Sequence, residues 1–214
     1  MTDPAPVTVA DAPEVAREVF GDRLALAEAF AAELAHTGVS HGLIGPREVP
    51  RLWDRHVLNC AVPAVVIPEG SRIVDVGSGA GLPGIAMAIA RPDLDVVLVE
   101  PMLRRTTWLS ETIARLGLER VEVVRGRAED VAGSVSAPIV TARAVARIDK
   151  LARWCVPLLD RPGRIVALKG RSAREELAEE TAVLRRLGMT AGGVHEVGDG
   201  ILEETTLVMD LRFG

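Results

Sequence analysis

Between Ile73 and Gly84 the chain reads IVDVGSGAGLPG. An apolar run ends in an acid, Asp75, and three alternate glycines, Gly77, Gly79 and Gly81, lead to Pro83 and Gly84. That order describes a strand turning tightly into a helix. Glycine removes the Cβ at such a turn and lets the main chain lie against a ligand, and the fixed φ of proline suits a helix start. At the carboxyl end of a parallel strand, a turn of this kind makes a cofactor crevice. Asp75, Gly77, Ser78, Gly79, Gly81, Leu82 and Gly84 are therefore the candidate cofactor loop.

Two cofactors compete for it, with a purely structural βα turn as the third reading. Gly79, Gly81 and Gly84 spell GxGxxG, the dinucleotide pattern. Against a dinucleotide stands Asp75: a pyrophosphate wants bare N–H groups and a helix dipole, and a nearby carboxylate repels it. A cofactor with a sulfonium and an α-amino group favours that acid. The next apolar run, DVVLVE, ends in Glu100, where a carboxylate can accept both ribose hydroxyls. Glu100 alone would also suit NAD; with Asp75 and the tight G-x-G-x-G spacing, the choice falls on S-adenosylmethionine.

Further chemistry is expected along the same edge. GRAED, Gly126–Asp130, follows the third predicted strand, where a side chain and a backbone N–H could contact adenine. Surface charge or helix capping is the rival account of Glu129 and Asp130. Arg143 ends the fourth predicted strand, above the place where a substrate would face the cofactor. It can present paired donors to a phosphate or to guanine O6. Its competing role is an ion pair with Asp75 or Glu100. His56, preceded by Arg55 and one turn before Asn59, is either a packed helix histidine or a site residue. His36, His41 and His195 accompany no Cys or paired carboxylate at ligand spacing, so no bound metal is expected. Carbon methylation of a pyrimidine wants a nucleophilic Cys, yet neither Cys60 nor Cys155 follows the fourth or fifth strand. Exocyclic-amine methylases carry an [N/D]PP[Y/F] loop where this chain has TARAVA.

The elements that must position these residues follow a regular βα rhythm. Residues 1–10 are small and Pro-containing, with fraying expected. A helix is expected from Ala12 to Thr37, stopped by Gly38, and Pro46 opens another with Leu52, Trp53, His56, Val57 and Leu58 on its buried side. RIVDV, a helix over Pro83–Ala90, DVVLVE, a helix over Leu103–Leu116, RVEVV, a strand over Pro138–Ala142, a helix to Leu159, the strand in RPGRIVALKG and a helix over Ser172–Leu187 complete the alternation. Two β-rich runs around Gly198-Asp199-Gly200 read as a terminal hairpin. The expected fold is α/β, a Rossmann-like seven-stranded, mostly parallel sheet of the class I methyltransferase plan. A helical extension over 1–70 would pack on a methyltransferase domain over 71–214, the whole forming one unit.

Composition agrees. Of 214 residues 48% are hydrophobic but only 3% aromatic, so the core must be Val, Leu, Ile and Ala, as a sheet buried on both faces requires. Trp53, Trp108 and Trp154 fall in predicted helices and read as core; no stacking platform for single-stranded RNA is evident. There is no run of eighteen apolar residues and no signal-peptide pattern, so a cytoplasmic protein without membrane attachment is expected. Cys60 and Cys155 lack CxxC partners and read as reduced, buried residues. Net charge is −5, yet residues 143–174 hold nine basic residues against Asp149 and Asp160, an excess of seven that could steer a polyanion. A solvated helix face and strand edge is the bland alternative. Since 23 of the 25 basic residues are arginine, the arginine bias itself is no sign of phosphate recognition.

RHVLNCA at 55–61, IVDVGSGAGLPGIAMAIARP at 73–92, Arg104–Arg105, GRAED, TARAVA at 141–146 and ALKG at 167–170 together resemble the ribosomal RNA small-subunit methyltransferase G family, also called glucose-inhibited division protein B. The resemblance covers roughly residues 20–210. It implies methyl transfer from S-adenosylmethionine to N7 of a guanine in the decoding-region loop of bacterial 16S ribosomal RNA, a modification whose loss is associated with low-level streptomycin resistance. By matching motif, Gly77, Gly79, Gly81 and Gly84 would hold the methionine side, Glu100 the ribose, and Ala128 and Glu129 the adenine. Arg143 would sit beside methyl donor and target, serving both cofactor and catalysis, and His56 would face the same pocket. RNA would meet Arg104, Arg105, Arg147, Lys169 and Arg171, in the 30S subunit or an assembly intermediate, with the protein a monomer. Departures fall on the substrate side: the family's HxxDS is here His56-Val57-Leu58-Asn59-Cys60, and its Arg-His near the last strand is Thr205–Thr206. An enzyme of the same class acting on a small molecule or another RNA, and a nucleotide-binding protein that is no methyltransferase, are the alternatives.

Overall fold

The computed structural model describes residues 9–214. Seven strands, β1 (Arg72–Val76), β2 (Asp95–Glu100), β3 (Val121–Arg125), β4 (Ala137–Arg143), β5 (Leu159–Lys169), β6 (Met189–Val197) and β7 (Thr206–Phe213), form one sheet in the order β3-β2-β1-β4-β5-β7-β6. β1 to β5 run parallel, and β7 is antiparallel to both β5 and β6. The order changes direction at β1, with β2 on one side and β4 on the other, and the crevice of a doubly wound sheet opens at such a point.

Alternation divides the strands between two cores. Ile73, Val96, Leu98 and Ile139 face one, with α1 (Ala16–Phe20), α2 (Leu24–Glu33), α3 (Asn59–Ala61), α4 (Gly84–Ala90) and α5 (Leu103–Leu116) contributing to it. Val74, Val97, Val99 and Val140 face the other, where α6 (Ala128–Val131), α7 (Ile148–Cys155) and α8 (Ala173–Arg186) pack. The helices before residue 70 thus share a core with the sheet. Trp108 of α5 is their joint: its indole is 1% exposed and donates to Thr37 Oγ1 at 2.8 Å.

Several boundaries differ from those expected. The first helix breaks at Gly21, whose φ of +50° leaves the helical region. The run then passes through Gly38 and turns at Gly42, φ +65°. Gly38 does not stop the helix because its φ is not in the left-handed region, and a Cβ there would make only ordinary contact with the Trp108 ring, at 3.8 Å. Pro83 precedes α4 as its cap, and the helix after β4 ends at Cys155 because Pro157 follows in a short 3-10 turn. The fraying expected of residues 1–10 falls outside the described residues up to residue 8. Ala10 is tied down: its carbonyl accepts the Trp53 indole N–H at 3.0 Å.

Candidate functional site

Almost every N–H of the glycine loop is already used. Gly77 and Ser78 donate to the Val99 carbonyl at 2.8 and 3.2 Å, and Gly81 and Leu82 to that of Ser78 at 2.7 and 3.1 Å. Gly79 donates to Glu100 Oε2 at 3.1 Å, and Gly84, first residue of α4, to Asp75 Oδ2 at 3.1 Å. A pyrophosphate needs those donors free, and the protein's own carboxylates hold the place an anion would take. This argues structurally against a dinucleotide.

The glycines divide by purpose. A Cβ at Gly81 would collide with Ile85 and one at Gly84 with Leu98, so both permit close packing of α4. A Cβ at Gly79 would meet only the Gly77 carbonyl, at 3.8 Å, so space lies open beside it. Two expected cofactor contacts turn inward instead: Ser78 Oγ donates to the Asp75 carbonyl at 2.9 Å, and Leu82, 5% exposed, joins the core.

Glu100 and Asp75 are both buried. Glu100 Oε1 accepts from the Met102 N–H at 3.0 Å, and Arg105 approaches Oε2 at 3.6 Å. Gly126 N–H reaches the Glu100 carbonyl at 3.2 Å, which brings the GRAED turn to the same strand end; Ala128 is buried there and Glu129 exposed. Asp75 Oδ1 is buried without a partner. Burial pushes its carboxyl up to about 7, against the hydrogen bond from Gly84 and the charge of Arg143. An orphaned acceptor, open space at Gly79 and a ribose-type carboxylate fit S-adenosylmethionine, whose reactive end is cationic.

Arg143 makes no ion pair with Asp75 or Glu100, the competing role expected for it. Its guanidinium donates to the Arg55 carbonyl at 3.2 Å and to His56 Nδ1 at 2.9 Å. Beyond it the backbone enters the left-handed region at Ala144, φ +55°, an uncommon conformation for a residue with a Cβ. Val145 then lies against Gly77, where a Cβ would come within 3.1 Å of Val145 Cγ2. Arg143 and Val145 also line a cleft of about 590 Å³, together with Arg55, Asn59, Lys169 and Thr206. The end of β4 therefore stands between the glycine loop and the cleft.

His56 is 8% exposed and both ring nitrogens are engaged, Nε2 lying 2.9 Å from Glu48 Oε2. With both ring nitrogens engaged, His56 has none free for proton transfer, and its contacts place it against Arg143. Glu48 is not foreshadowed in the sequence; an acid in PREVPR, eight residues before the histidine, gives no local signal of this pairing. The two departures on the substrate side meet: Asn59 Nδ2 donates to Thr206 Oγ1 at 2.6 Å.

The basic stretch is largely neutralised by acids from elsewhere. Arg147 pairs with Glu179 and Glu180 at 2.8 and 3.1 Å, Arg164 with Asp210 at 2.6 Å, and Arg174 with Glu196 at 2.8 Å. Arg171 pairs with Glu204 at 2.8 Å in full exposure. Lys169 departs furthest from its expected RNA-facing role: its ammonium donates to Glu176 at 2.9 Å and to the Ala146 carbonyl at 2.8 Å, with both side chains of the pair only 10% exposed. Arg104 is exposed and Arg105 half-buried at the start of α5. Among the described residues no group of three or more His, Cys, Asp or Glu is placed to hold a metal ion, and no helix is long and apolar enough to cross a membrane.

The strand order and the glycine crevice define a Rossmann-like methyltransferase of the S-adenosylmethionine-dependent class. Solved structures share the fold: a methyltransferase from Aquifex aeolicus described as SAM dependent (TM-score 0.56, 18% identity, covering 80% of this chain and 100% of that one) and the mitomycin 7-O-methyltransferase MmcR (TM-score 0.61, 15% identity, 94% and 69%). Residues 23–204 match the family described as rRNA small subunit methyltransferase G, GidB. Proteins named ribosomal RNA small subunit methyltransferase G from Salinispora arenicola (55% identical, covering 98% of this chain and 90% of that protein) and Streptomyces avermitilis (53%, 95% and 86%) are similar along nearly their whole length. The chain belongs to the rRNA small subunit methyltransferase G family.

Proposed function

We propose that this protein transfers a methyl group from S-adenosylmethionine to N7 of a guanine in the decoding-region loop of bacterial 16S ribosomal RNA. The observation that carries the reading is Arg143, anchored by His56 and the Arg55 carbonyl between the glycine loop and the cleft. Bound S-adenosylmethionine supplies the sulfonium methyl group as electrophile. Guanine N7 has an in-plane lone pair, so no proton has to leave before attack, and alignment and field are what the protein must provide. Arg143 can donate to O6, the acceptor beside N7, and thereby set the base in line. Glu100 is suited to the ribose and Asp75 to the cationic methionine end, with Ala128 and Glu129 beside the adenine. The cysteines offer no alternative chemistry: burial pushes the Cys60 thiol up to about 12 and raises that of Cys155 as well.

In this reading 1–70 is an extension, whose Arg51, Asp54, Arg55 and Asn59 line the cleft, and 71–214 is the methyltransferase domain. The protein acts as a monomer in the cytoplasm on the 30S subunit or an assembly intermediate. Arg104, Arg105, Arg147 and Arg171 meet phosphates. The base must be unpaired or extruded, because the deep groove of A-form RNA hides N7. The test is transfer of labelled methyl to 16S RNA from a strain lacking the modification, presented naked and as 30S particles. Label at guanine N7 is expected. A methylated metabolite with no label in either RNA form would reverse the reading.

A further inference from the structure

The geometry points to Glu48 as the residue that aims Arg143: its carboxylate fixes the tautomer of His56, and His56 in that tautomer holds the guanidinium at the cleft. The effect on activity rests on the methyl-transfer reading above; the geometry does not.

Glu48 Oε2 lies 2.9 Å from His56 Nε2 and 3.5 Å from Arg55 Nε. On the other side of the ring, Nδ1 lies 2.9 Å from the Arg143 guanidinium. A guanidinium has donors only and stays protonated, so it bonds Nδ1 only in the tautomer that leaves a lone pair there. The neutral ring then carries its proton on Nε2 and donates it to Glu48. The opposite tautomer would set N–H against N–H at Arg143 and a lone pair against a carboxylate at Glu48. With the ring buried, water cannot relieve either clash. The Glu48 carboxylate is ionised at neutral pH, its pKa lowered chiefly by the hydrogen bond from His56. Arg143 is fixed at two points, His56 and the Arg55 carbonyl, which leaves its other N–H groups for the cleft.

The same chain of contacts makes the arrangement sensitive to acid. The charged groups facing His56 are Glu48 from the turn Pro46–Arg51, Arg55 from its own segment Leu52–Leu58, and Arg143 from β4. Burial, then the Arg143 charge, holds the His56 pKa below its ordinary value, while Glu48 raises it. A proton on Nδ1 breaks the bond to Arg143 and sets two like charges 2.9 Å apart. Methyl transfer should therefore fall on the acid side with the protonation of His56 and stay flat above neutrality.

Two measurements on the full-length protein separate this role from a merely structural one. Imidazole ¹⁵N NMR without RNA is expected to show His56 protonated on Nε2 in the parental protein and a mixture of the two tautomers in Glu48→Ala, where the contact with Arg143 alone still favours that form. Single-turnover methyl transfer to 30S particles is expected to drop roughly tenfold to hundredfold in Glu48→Ala, the range a misaimed group produces, with cofactor affinity kept. Glu48→Gln, whose amide oxygen can still accept from Nε2, should recover most of the plateau rate. Its acid limb should move to lower pH, because the anion that favours the imidazolium is gone. An Nδ1-protonated His56 in the parental protein, or a parental rate and acid limb in Glu48→Ala, would overturn the assignment. If the alanine variant does not fold, an unmoved acid limb in Glu48→Gln overturns it instead. A parental protein that methylates no RNA while the tautomer still follows Glu48 supports the assignment and fails the functional reading.

Discussion

A carboxylate removed from water has to be compensated by hydrogen bonds, cations or a proton, and against its burial Asp75 has hydrogen bonding from Gly84 and Ser78 and the charge of Arg143. Its folded pKa of about 7 stands above the ordinary 3.8, so between those values the native state holds a proton that the unfolded chain does not. Its contribution to stability is complete below about 3.8 and is lost as pH rises towards 7. A cation placed beside Oδ1 should expel that proton. Calorimetry of S-adenosylmethionine binding near pH 6, in buffers of different ionisation enthalpy, is expected to show proton release that Asp75→Asn abolishes. Equal release in the variant would confine Asp75 to capping α4. Arg143 is tested separately. Arg143→Ala should keep the fold and most cofactor affinity while losing at least about a hundredfold in transfer, as when a preorganised donor is removed. Arg143→Lys should recover only part, lacking the paired-donor geometry. A parental rate in the alanine variant would make Arg143 structural.

Elements are legible in the sequence where their cause is local. β1, β2 and α5 follow from short Val-rich apolar runs and from one amphipathic stretch closed by Gly117, whose φ is +63°. The glycine turn after β1 and the placing of an arginine at the end of β4 are legible for the same reason. What a side chain meets across the fold is not. Nothing near ALKG announces that Lys169 will be clipped to Glu176 of α8, or that the same carboxylate will accept the Ile148 N–H that opens α7. Nor does the sequence reveal that Asn59 and Thr206, 147 positions apart, share a hydrogen bond. Glycine misleads for a related reason: Gly38 reads as a stop, but the chain turns only at Gly42, where φ is +65°. The Lys169–Glu176 clip also holds the Ala146 carbonyl, and so the loop that follows Arg143. Glu176→Ala leaves a buried ammonium without its partner and should cost about 3–5 kcal/mol in denaturant unfolding. Lys169→Met combined with Glu176→Leu should recover much of that loss. A single variant within about 1 kcal/mol of the parent, on the order of a surface change, would show that the pair is not a structural clip.

At the scale of the whole molecule, a net charge of −5 has to be reconciled with a polyanionic substrate. The excess of positive charge between residues 143 and 174 does not survive folding as a free patch, because acids of α8, β6, β7 and the loop between those strands answer most of it. The pairs are not equivalent, however. Lys169–Glu176 is buried and permanent, whereas Arg171–Glu204 is an exposed pair at the cleft rim, of a kind worth at most about 1 kcal/mol. An RNA phosphate can displace Glu204 at little cost. Arg104 is exposed at the start of α5 beside the exposed Met102 and Leu103, close to the Glu100 end of the crevice. Contact with RNA at both places would bracket the site with cations contributed by two distant segments. Binding to 30S particles should then weaken with salt, each phosphate contact adding about 0.7–0.9 to the slope of log K against log salt. Arg104→Gln and Arg171→Gln should each lower that slope by about one contact and leave S-adenosylmethionine affinity unchanged. Together they should remove two contacts. An unchanged slope in the double variant would move the RNA to another face of the molecule.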